Sequence, residues 1–151
     1  MTTYALTGND TFILADRVLK ELTDGSTVEL AYQNDRVGAS TGKNNTTVYA
    51  DNRQGTNAVV TLRVLRGGAD DRWLNGLSIS QEKDLPTFKV MNGSFTKRIG
   101  DGNGVVRFDN YVLLGGVFQR FPDAQENLQG ETEQGTTVYQ IFFAKAERAI
   151  G

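Results

Sequence analysis

The sequence predicts a mainly β fold, an antiparallel β-barrel or sandwich with one flanking α-helix at about residues 69–80 and an extended hairpin at about residues 36–53. Apolar and polar side chains alternate through most of the chain, which is the period of a β-strand. The chain has 17 glycines and only 2 prolines, and the glycines fall between these alternating segments. A single segment changes to helical spacing. No linker or repeat is visible, so residues 1–151 are predicted to form one domain.

Two short strands are predicted near the start of the chain, at residues 12–14 and 28–32, with the turn dipeptide Asp24-Gly25 between them. The stretch 17–22 fits either a strand that continues into a loop or a short helix, and we favour the strand.

A hairpin is predicted where residues 37–41 and 46–51 flank Gly42-Lys43-Asn44-Asn45, because these turn residues tolerate a positive φ. Thr, Asn, Ser and Gly dominate both strands, so neither face can bury much. The strand at 58–66 is predicted next, and one of its faces is wholly apolar and therefore expected in the core: Val60, Leu62 and Val64. Thr61 and Arg63 are expected to point outward.

The helix is predicted after Gly67-Gly68, which breaks the preceding strand. Asp70 and Asp71 fall in its first turn, where they complement the macrodipole and can cap free N–H groups. Three large side chains lie on one side and are expected to anchor the helix to the sheet: Trp73, Leu74 and Leu77.

The second half of the chain predicts three strands, at 88–94 with an extension to 97, at 105–120, and at 137–146. A glycine turn at 100–104 separates the first two, and a polar loop at 123–135 precedes the last, which is expected to lie centrally in the sheet. Gly115-Gly116 predicts a bulge or bend in the long strand. Its buried face is expected to carry Phe108, Val112 and Leu114, with Arg107 and Asp109 on the other face.

The composition argues against several classes of function. The chain has no His and no Cys, which removes disulfides, zinc sites of that type, thiol nucleophiles and His-based triads. The net charge of −2 leaves no overall basic surface for nucleic acid. The longest apolar run, residues 111–118, is far below the roughly 20 residues that span a bilayer, and the N-terminus lacks the pattern of a signal peptide. We expect a non-catalytic protein without membrane contact, made in the cytoplasm.

Two glycine-containing segments resemble binding loops without completing the motif. Residues 38–43 suggest a phosphate-binding loop, but that motif requires Gly where Val37 stands and Ser or Thr where Asn44 stands. Residues 101–104 suggest a calcium loop, but the twelfth position is Val112, where the motif requires Glu. Both are interpreted as hairpin turns, and no catalytic, cofactor-binding or metal-binding residue is predicted.

The order of several segments resembles one protein family. These segments are Phe-Ile-Leu at 12–14, Thr-Asp-Gly at 23–25, Thr-Gly-Lys-Asn-Asn at 41–45, Asn-Arg-Gln-Gly at 52–55, Val-Val-Thr-Leu-Arg-Val-Leu-Arg at 59–66, Gly-Gly-Ala-Asp-Asp-Arg-Trp-Leu-Asn at 67–75 and Asp-Asn-Tyr-Val-Leu at 109–113. Together with the chain length, they resemble the tail tube proteins of contractile-tailed bacteriophages. Tubes of phage-like bacteriocins and of type VI secretion share the same architecture and stay open as alternatives.

The resemblance implies a structural subunit of the virion tail, assembled in the host cytoplasm. Six subunits would form a ring, and stacked rings would form a hollow tube for genome ejection. The implied partners are other copies of the chain and the sheath, tape-measure and baseplate proteins. DNA would pass through the lumen without specific binding, and no cofactor is implied.

The hairpin composition gives independent support for assembly, since a long polar hairpin has little reason to exist in a monomer but can lie across a neighbour. The interface candidates are Arg36, Lys43, Asn44, Asn45, Asp51 and Arg53. Two other classes remain open, namely a carbohydrate- or ligand-binding β-domain that works as a monomer or small oligomer, and another tail component such as a baseplate or terminator protein.

Overall fold

The computed structural model describes residues 4–6, 11–22, 28–52, 55–123 and 135–151. Within these residues the chain forms one α-helix, α1 (Ala69–Lys83), and a short 3-10 turn at Leu85–Thr87. The strands of the same residues are β1 (Ala5–Leu6), β2 (Thr11–Leu14), β3 (Arg17–Val18), β4 (Val28–Tyr32), β5 (Val37–Thr41), β6 (Thr47–Asp51), β7 (Ala58–Leu65), β8 (Met91–Gly100), β9 (Val106–Asp123) and β10 (Thr136–Ile150). The predicted mainly β fold with one helix is confirmed.

The main sheet is antiparallel and curls over its own core. Its strands follow the order β3-β2-β8-β9-β10-β7-β4, and β1 pairs with the far end of β8. Phe12 of β2 and Leu30 of β4 line the same internal space, although their strands lie near opposite ends of this order. In the described part of the chain β3 and β4 do not pair, so the barrel stays open and the fold is closer to a sandwich.

The segment after β3 crosses between the two ends of the sheet. Leu22 bridges Val64 of β7, and the Leu65 N–H donates to the Glu21 carbonyl at 2.9 Å. The favoured interpretation of residues 17–22, a strand that continues into a loop, is therefore confirmed. The predicted Asp24-Gly25 turn lies outside the described residues.

The core forms where the sequence predicts it in β7, and β10 contributes to it. Val60, Leu62 and Val64 are fully buried. On β10, which lies centrally between β9 and β7 as predicted, Tyr139 and Ile141 are buried with them. Period-two alternation places all of these side chains on one face of the curled sheet, because adjacent strands are paired in register.

A β-bulge interrupts β9 at the predicted glycines. Met91 of β8 pairs with Gly116, but Gly93 pairs with Leu113, so β9 contains one more residue than its partner over this stretch. Gly115 adopts a φ of 70°, which an L side chain rarely adopts. Because of the extra residue, the side chains of β9 that face the core have odd residue numbers before the bulge and even residue numbers after it. Leu113 before the bulge and Phe118 after it are both buried.

Several predicted boundaries are wrong. The helix reaches Lys83, past residue 80, and ends at Asp84 before the Leu85-Pro86 pair that cannot continue it. The 3-10 turn then delays β8 to Met91. Strands β9 and β10 extend beyond their predicted ends because they pair with each other: Asp123 at the end of β9 pairs with Val138, and Ile150 at the end of β10 pairs with Asp109. Most of the predicted loop at 123–135 lies outside the described residues.

Candidate assembly surface

The β5–β6 hairpin is the first candidate surface. It forms a separate two-stranded sheet, paired from Val37 opposite Asp51 to Thr41 opposite Thr47, and every residue of both strands is exposed. The turn is closed by the Gly42 N–H, which donates to the Thr46 carbonyl at 2.8 Å. The predicted hairpin is therefore present, and it stands apart from the main sheet.

Hydrogen bonds at its root hold the hairpin in position. The Asn52 N–H donates to the Arg36 carbonyl at 2.8 Å, and the Asn52 side-chain amide donates to the Asp35 carbonyl at 2.9 Å. Gly55 is buried against this root, and a Cβ at Gly55 would lie 3.0 Å from the Asp35 carbonyl oxygen. A larger residue at this position would therefore crowd the root, and the backbone around Asp35 would have to shift by a few tenths of an ångström.

The two faces of the hairpin differ. Residues directly opposite each other in an antiparallel pair share a face, so Tyr49 lies beside Ala39 and between Val37 and Thr47. Tyr49 is 72% exposed, and Val48 on the other face is 64% exposed. An isolated two-stranded hairpin is at best marginally stable in water, and its edges offer unpaired backbone groups. A partner that covers the hairpin would stabilise it and could pair with these backbone groups.

The predicted interface candidates occupy three parts of this hairpin. Arg36 lies at the root, Asp51 ends β6, and Lys43, Asn44 and Asn45 form the turn, where Asn45 has a φ of 64°. Arg53 lies outside the described residues. The sequence analysis missed Val37, Val48 and Tyr49 as interface candidates, although three large apolar side chains in an otherwise polar hairpin were the available signal.

The outer face of β9 is the second candidate surface, and here the sequence prediction is wrong. Phe108, Val112 and Leu114, expected in the core, are 50%, 38% and 40% exposed. We call these three residues the β9 stripe. The inward face of this part of β9 carries Leu113, which is fully buried. Apolar residues occur on both faces of the strand, so its alternation did not define the buried side.

Asp109 lies on the inward face of β9, where a charged side chain was not expected. Arg148 neutralises the charge of this carboxylate. Two guanidinium nitrogens of Arg148 donate to the two Asp109 oxygens at 2.8 and 2.7 Å. The guanidinium also lies over the ring of Tyr111, 5.8 Å from its centre, which is within cation–π distance. The hydrogen bond from Arg148 holds the pKa of Asp109 below its ordinary value. The pair lets a carboxylate occupy this face.

The helix residues singled out by the sequence serve the fold. Leu74 is fully buried, and Trp73 and Leu77 pack half-buried against the core. The guanidinium of Arg17 lies 5.3 Å from the centre of the Trp73 ring. These three side chains therefore anchor α1. Farther along, the Gln81 amide both donates to and accepts from the Phe118 backbone, at 2.9 and 2.8 Å.

Asp70 and Asp71 lie in the first turn of α1, but the expectation that they cap its N–H groups is wrong. The N-cap is Gly68, without a side-chain cap. Asp70 instead accepts from the Lys20 and Glu21 N–H groups at 2.7 and 2.8 Å. Burial raises the pKa of Asp70, but the hydrogen bonds from Glu21, Lys20 and Arg17 outweigh it, and the pKa lies below its ordinary value.

Asp71 connects the helix to the central strand β10. The Tyr139 hydroxyl donates to Asp71 Oδ1 at 2.6 Å, and the Gly67 N–H donates to Asp71 Oδ2 at 2.8 Å. Burial, and then the hydrogen bond to Asp71, raise the pKa of Tyr139 well above its ordinary value. Both carboxylates of the predicted pair are therefore occupied by structural hydrogen bonds.

Two clefts flank these surfaces. One of ≈ 650 Å³ lies at the hairpin root and includes Tyr32 and Arg148. The other, of ≈ 600 Å³, lies beside α1 and includes Arg17 and Asp70. In each cleft the arginine is paired with a carboxylate, Arg148 with Asp109 and Arg17 with Asp70. Among the described residues, no group of three acidic side chains is close enough to hold a metal ion.

The glycine segments behave as turns in the structure. Asp101 Oδ1 accepts from the Asn103 and Val105 N–H groups at 2.7 and 3.2 Å, which is an Asx-type turn between β8 and β9. Gly102 and Gly104 have φ values of 84° and 87°. The interpretation of both segments as hairpin turns is confirmed.

No protein-family model matches the chain, and a search of curated proteins finds no match. In the part of the chain that the structure describes, α1 falls short of the length and apolar character that crossing a membrane requires.

Proposed function

We propose that this protein is a structural, non-catalytic subunit of a phage tail tube, whose copies assemble into rings that stack into a hollow conduit for DNA. The observation that carries the proposal is the exposed β5–β6 hairpin, which pairs with no other strand of the described chain. A regular hairpin with this much exposed surface, Tyr49 included, is stabilised when a neighbouring copy covers it.

The geometry of such a contact favours rings and filaments. In this proposal the hairpin contacts a different surface of the next copy and the exchange is not reciprocal, so the contact is heterologous. Heterologous contacts close into rings or extend into filaments, whereas a symmetric dimer would require the same surface on both copies. Six-membered rings, and the sheath, tape-measure and baseplate proteins as partners, belong to the proposal through the family resemblance.

The surface charges fit a conduit through which DNA slides without binding. The net charge is −2, and two of the cations on the surface are paired locally, Arg63 with Glu29 at 3.0 Å and Lys145 with Glu147 at 2.9 Å. Unpaired cations would bind phosphates and release counterions, which would hold the DNA. The proposed location is the virion tail, after assembly in the host cytoplasm.

Electron microscopy of the purified protein tests the proposal. We expect rings or tubes with a central channel at high protein concentration. A protein that stays monomeric at every concentration, without rings or tubes, would contradict a tube subunit and favour the ligand-binding alternative.

A variant without the hairpin provides the matched comparison. In this variant, Asn-Gly replaces residues 37–51 and forms a two-residue turn between Arg36 and Asn52. The existing hydrogen bond from the Asn52 N–H to the Arg36 carbonyl is then the i to i+3 bond that closes this turn. We expect this variant to keep the β circular dichroism of the parent and to remain monomeric. Normal tubes from this variant would show that the hairpin is not the assembly element.

A further inference from the structure

Three asparagines of the chain are followed directly by glycine, at Asn75-Gly76, Asn92-Gly93 and Asn103-Gly104. This dipeptide is chemically labile, because the backbone nitrogen of the glycine can attack the side-chain carbon Cγ of the asparagine, and glycine has no Cβ to obstruct the approach. The five-membered ring closes only when the backbone rotates away from both helical and extended dihedral angles. The surrounding structure therefore decides which of the three asparagines can react.

The helix protects Asn75, although this residue and Gly76 are both exposed. Both lie inside α1, where each N–H donates to the carbonyl four residues earlier, so the Gly76 N–H is directed at the Arg72 carbonyl and away from Asn75 Cγ. Reaction at Asn75 first requires the middle of the helix to open, and local opening costs free energy. Exposure alone therefore does not make this asparagine reactive.

The sheet protects Asn92 at the start of β8. The Asn92 carbonyl accepts from the Ala15 N–H at 2.8 Å, and its side-chain Oδ1 accepts from the Gly115 N–H at 3.1 Å. Gly93 is paired with β2 on one side and with β9 on the other. Rotation of the peptide between Asn92 and Gly93 would disturb the pairing with both strands, so the backbone and the side chain are held away from the ring geometry.

Asn103 has neither form of protection. It lies in the exposed turn between β8 and β9, and within the described part of the chain no hydrogen bond involves its side-chain amide or the Gly104 N–H. Gly104 has a φ of 87° and open space around its Cβ position. Asp101 accepts from the N–H groups of Asn103 and Val105, on either side of this peptide. The peptide between Asn103 and Gly104 is therefore free to rotate while the turn stays closed.

We propose that Asn103 is a modification site at which the folded protein deamidates without an enzyme, while Asn75 and Asn92 are protected. The Gly104 nitrogen forms a bond to Asn103 Cγ and loses its proton, and the side-chain nitrogen takes up a proton and leaves as ammonia. Water then adds to either carbonyl carbon of the resulting succinimide ring and opens it. The product at position 103 is aspartate or isoaspartate, and no atom is oxidised or reduced.

Both products change the turn between β8 and β9. Each adds one negative charge close to Asp101, in a chain whose net charge is −2. Isoaspartate also carries the main chain through the former side chain, which lengthens the backbone of the turn by one carbon. This inference does not depend on self-assembly, because it concerns the single folded subunit.

Peptide mapping by mass spectrometry tests the three sites in one sample. Folded protein is kept at low concentration in neutral buffer and digested at intervals, and the mass increase of each peptide gives the fraction of asparagine converted to acid. We expect Asn103 to convert at least about ten times faster than Asn75 or Asn92, because those two wait for local opening. Edman degradation of the Asn103 peptide should stop at this residue in the isoaspartate fraction.

Protein unfolded in guanidinium chloride is the matched control. All three asparagines then have a glycine neighbour and no surrounding structure, so we expect their rates to become similar. Asn103→Gln is the control for the site, because the longer side chain cannot close a five-membered ring, and the exposed position leaves the fold unchanged. In ion-exchange chromatography the folded parent should acquire an acidic form that the variant lacks.

Two results would overturn the inference. One is conversion in the folded protein that is equally fast at all three sites, or faster at Asn75 or Asn92. The other is an Asn103 that stays unchanged in the folded protein over a period in which it converts in guanidinium chloride.

Discussion

Asp70 connects the start of α1 to the segment after β3, and its replacement is expected to loosen that connection. One carboxylate oxygen accepts from the Lys20 and Glu21 N–H groups, and the other accepts from Arg17 at 3.0 Å. Asp70→Asn removes the charge and leaves an N–H₂ group facing one of these donors. A hydrogen bond to a charged group contributes about 1.5–3 kcal/mol, so we expect the free energy of unfolding to fall by about 2–3 kcal/mol.

Asp70→Ala should cost more than the Asn variant, about 3–5 kcal/mol, because Arg17 and the two N–H groups then lose their common partner. For a chain of this size each kcal/mol lowers the melting temperature by about 2–4 °C. Trp73 is the only tryptophan of the chain and lies on α1, so its fluorescence during urea unfolding of monomeric protein reports this region directly.

The pH dependence provides a second measurement on the same variants. The folded-state pKa of Asp70 lies below its ordinary value, which is about 4 in an unfolded chain. The stability that its ionised form contributes is therefore fully present above about pH 4 and is lost as the pH falls through the folded-state value. The stability difference between the parent and Asp70→Asn should be constant from about pH 5 to 8 and should narrow below pH 4.

The control is Asp16→Asn, an exposed site whose φ of 67° both residues tolerate. It makes the same change in charge and should alter stability by less than about 0.5 kcal/mol. Equal effects of Asp16→Asn and Asp70→Asn, or a difference between parent and Asp70→Asn that stays constant down to pH 2, would refute the reasoning.

Three further substitutions test a buried hydrogen bond and the space around two glycines. Tyr139→Phe removes the hydroxyl that donates to Asp71 at 2.6 Å, and urea unfolding should show a loss of about 1–3 kcal/mol, whereas an unchanged midpoint would contradict a role for this bond. Gly116→Ala places a Cβ 2.5 Å from the Phe143 ring and should cost at least about 1–3 kcal/mol. Gly76 lies within α1 with open space around its Cβ position, so Gly76→Ala should instead raise stability by about 0.5–1 kcal/mol. Calorimetry measures the melting temperature of both glycine variants, and a shift of both in the same direction would contradict this account of the two sites.

Local sequence patterns predicted the structure correctly where one face of a strand is clearly apolar or where a turn requires particular residues. Val60, Leu62 and Val64 are buried as the alternation predicts, because a strand with a single apolar face has only one favourable orientation on a core. The hairpin turn at 42–45 was predicted equally well, since residues that tolerate a positive φ occur together at few other places in the chain.

Local patterns failed on β9, where apolar residues occur on both faces. Phe108 and Leu113 are both large apolar residues, so either could be buried. Only the pairing of β9 with β8 and β10 places Leu113 in the core and leaves Phe108 half exposed. The bulge at Gly115 then shifts the alternation by one residue. The exposed β9 stripe, and with it half of the candidate assembly surface, was therefore hidden from the sequence analysis.

The partners of charged residues were also decided by the tertiary structure. The sequence placed Asp70 and Asp71 in the first turn of a helix, which is where they lie, because helix periodicity and chain direction are local properties. Their hydrogen-bond partners, Glu21 and Tyr139, are 49 and 68 residues away along the chain. Periodicity carries no information over such distances, so only the curling of the sheet, which brings β3, β10 and the start of α1 together, determines which group each carboxylate binds.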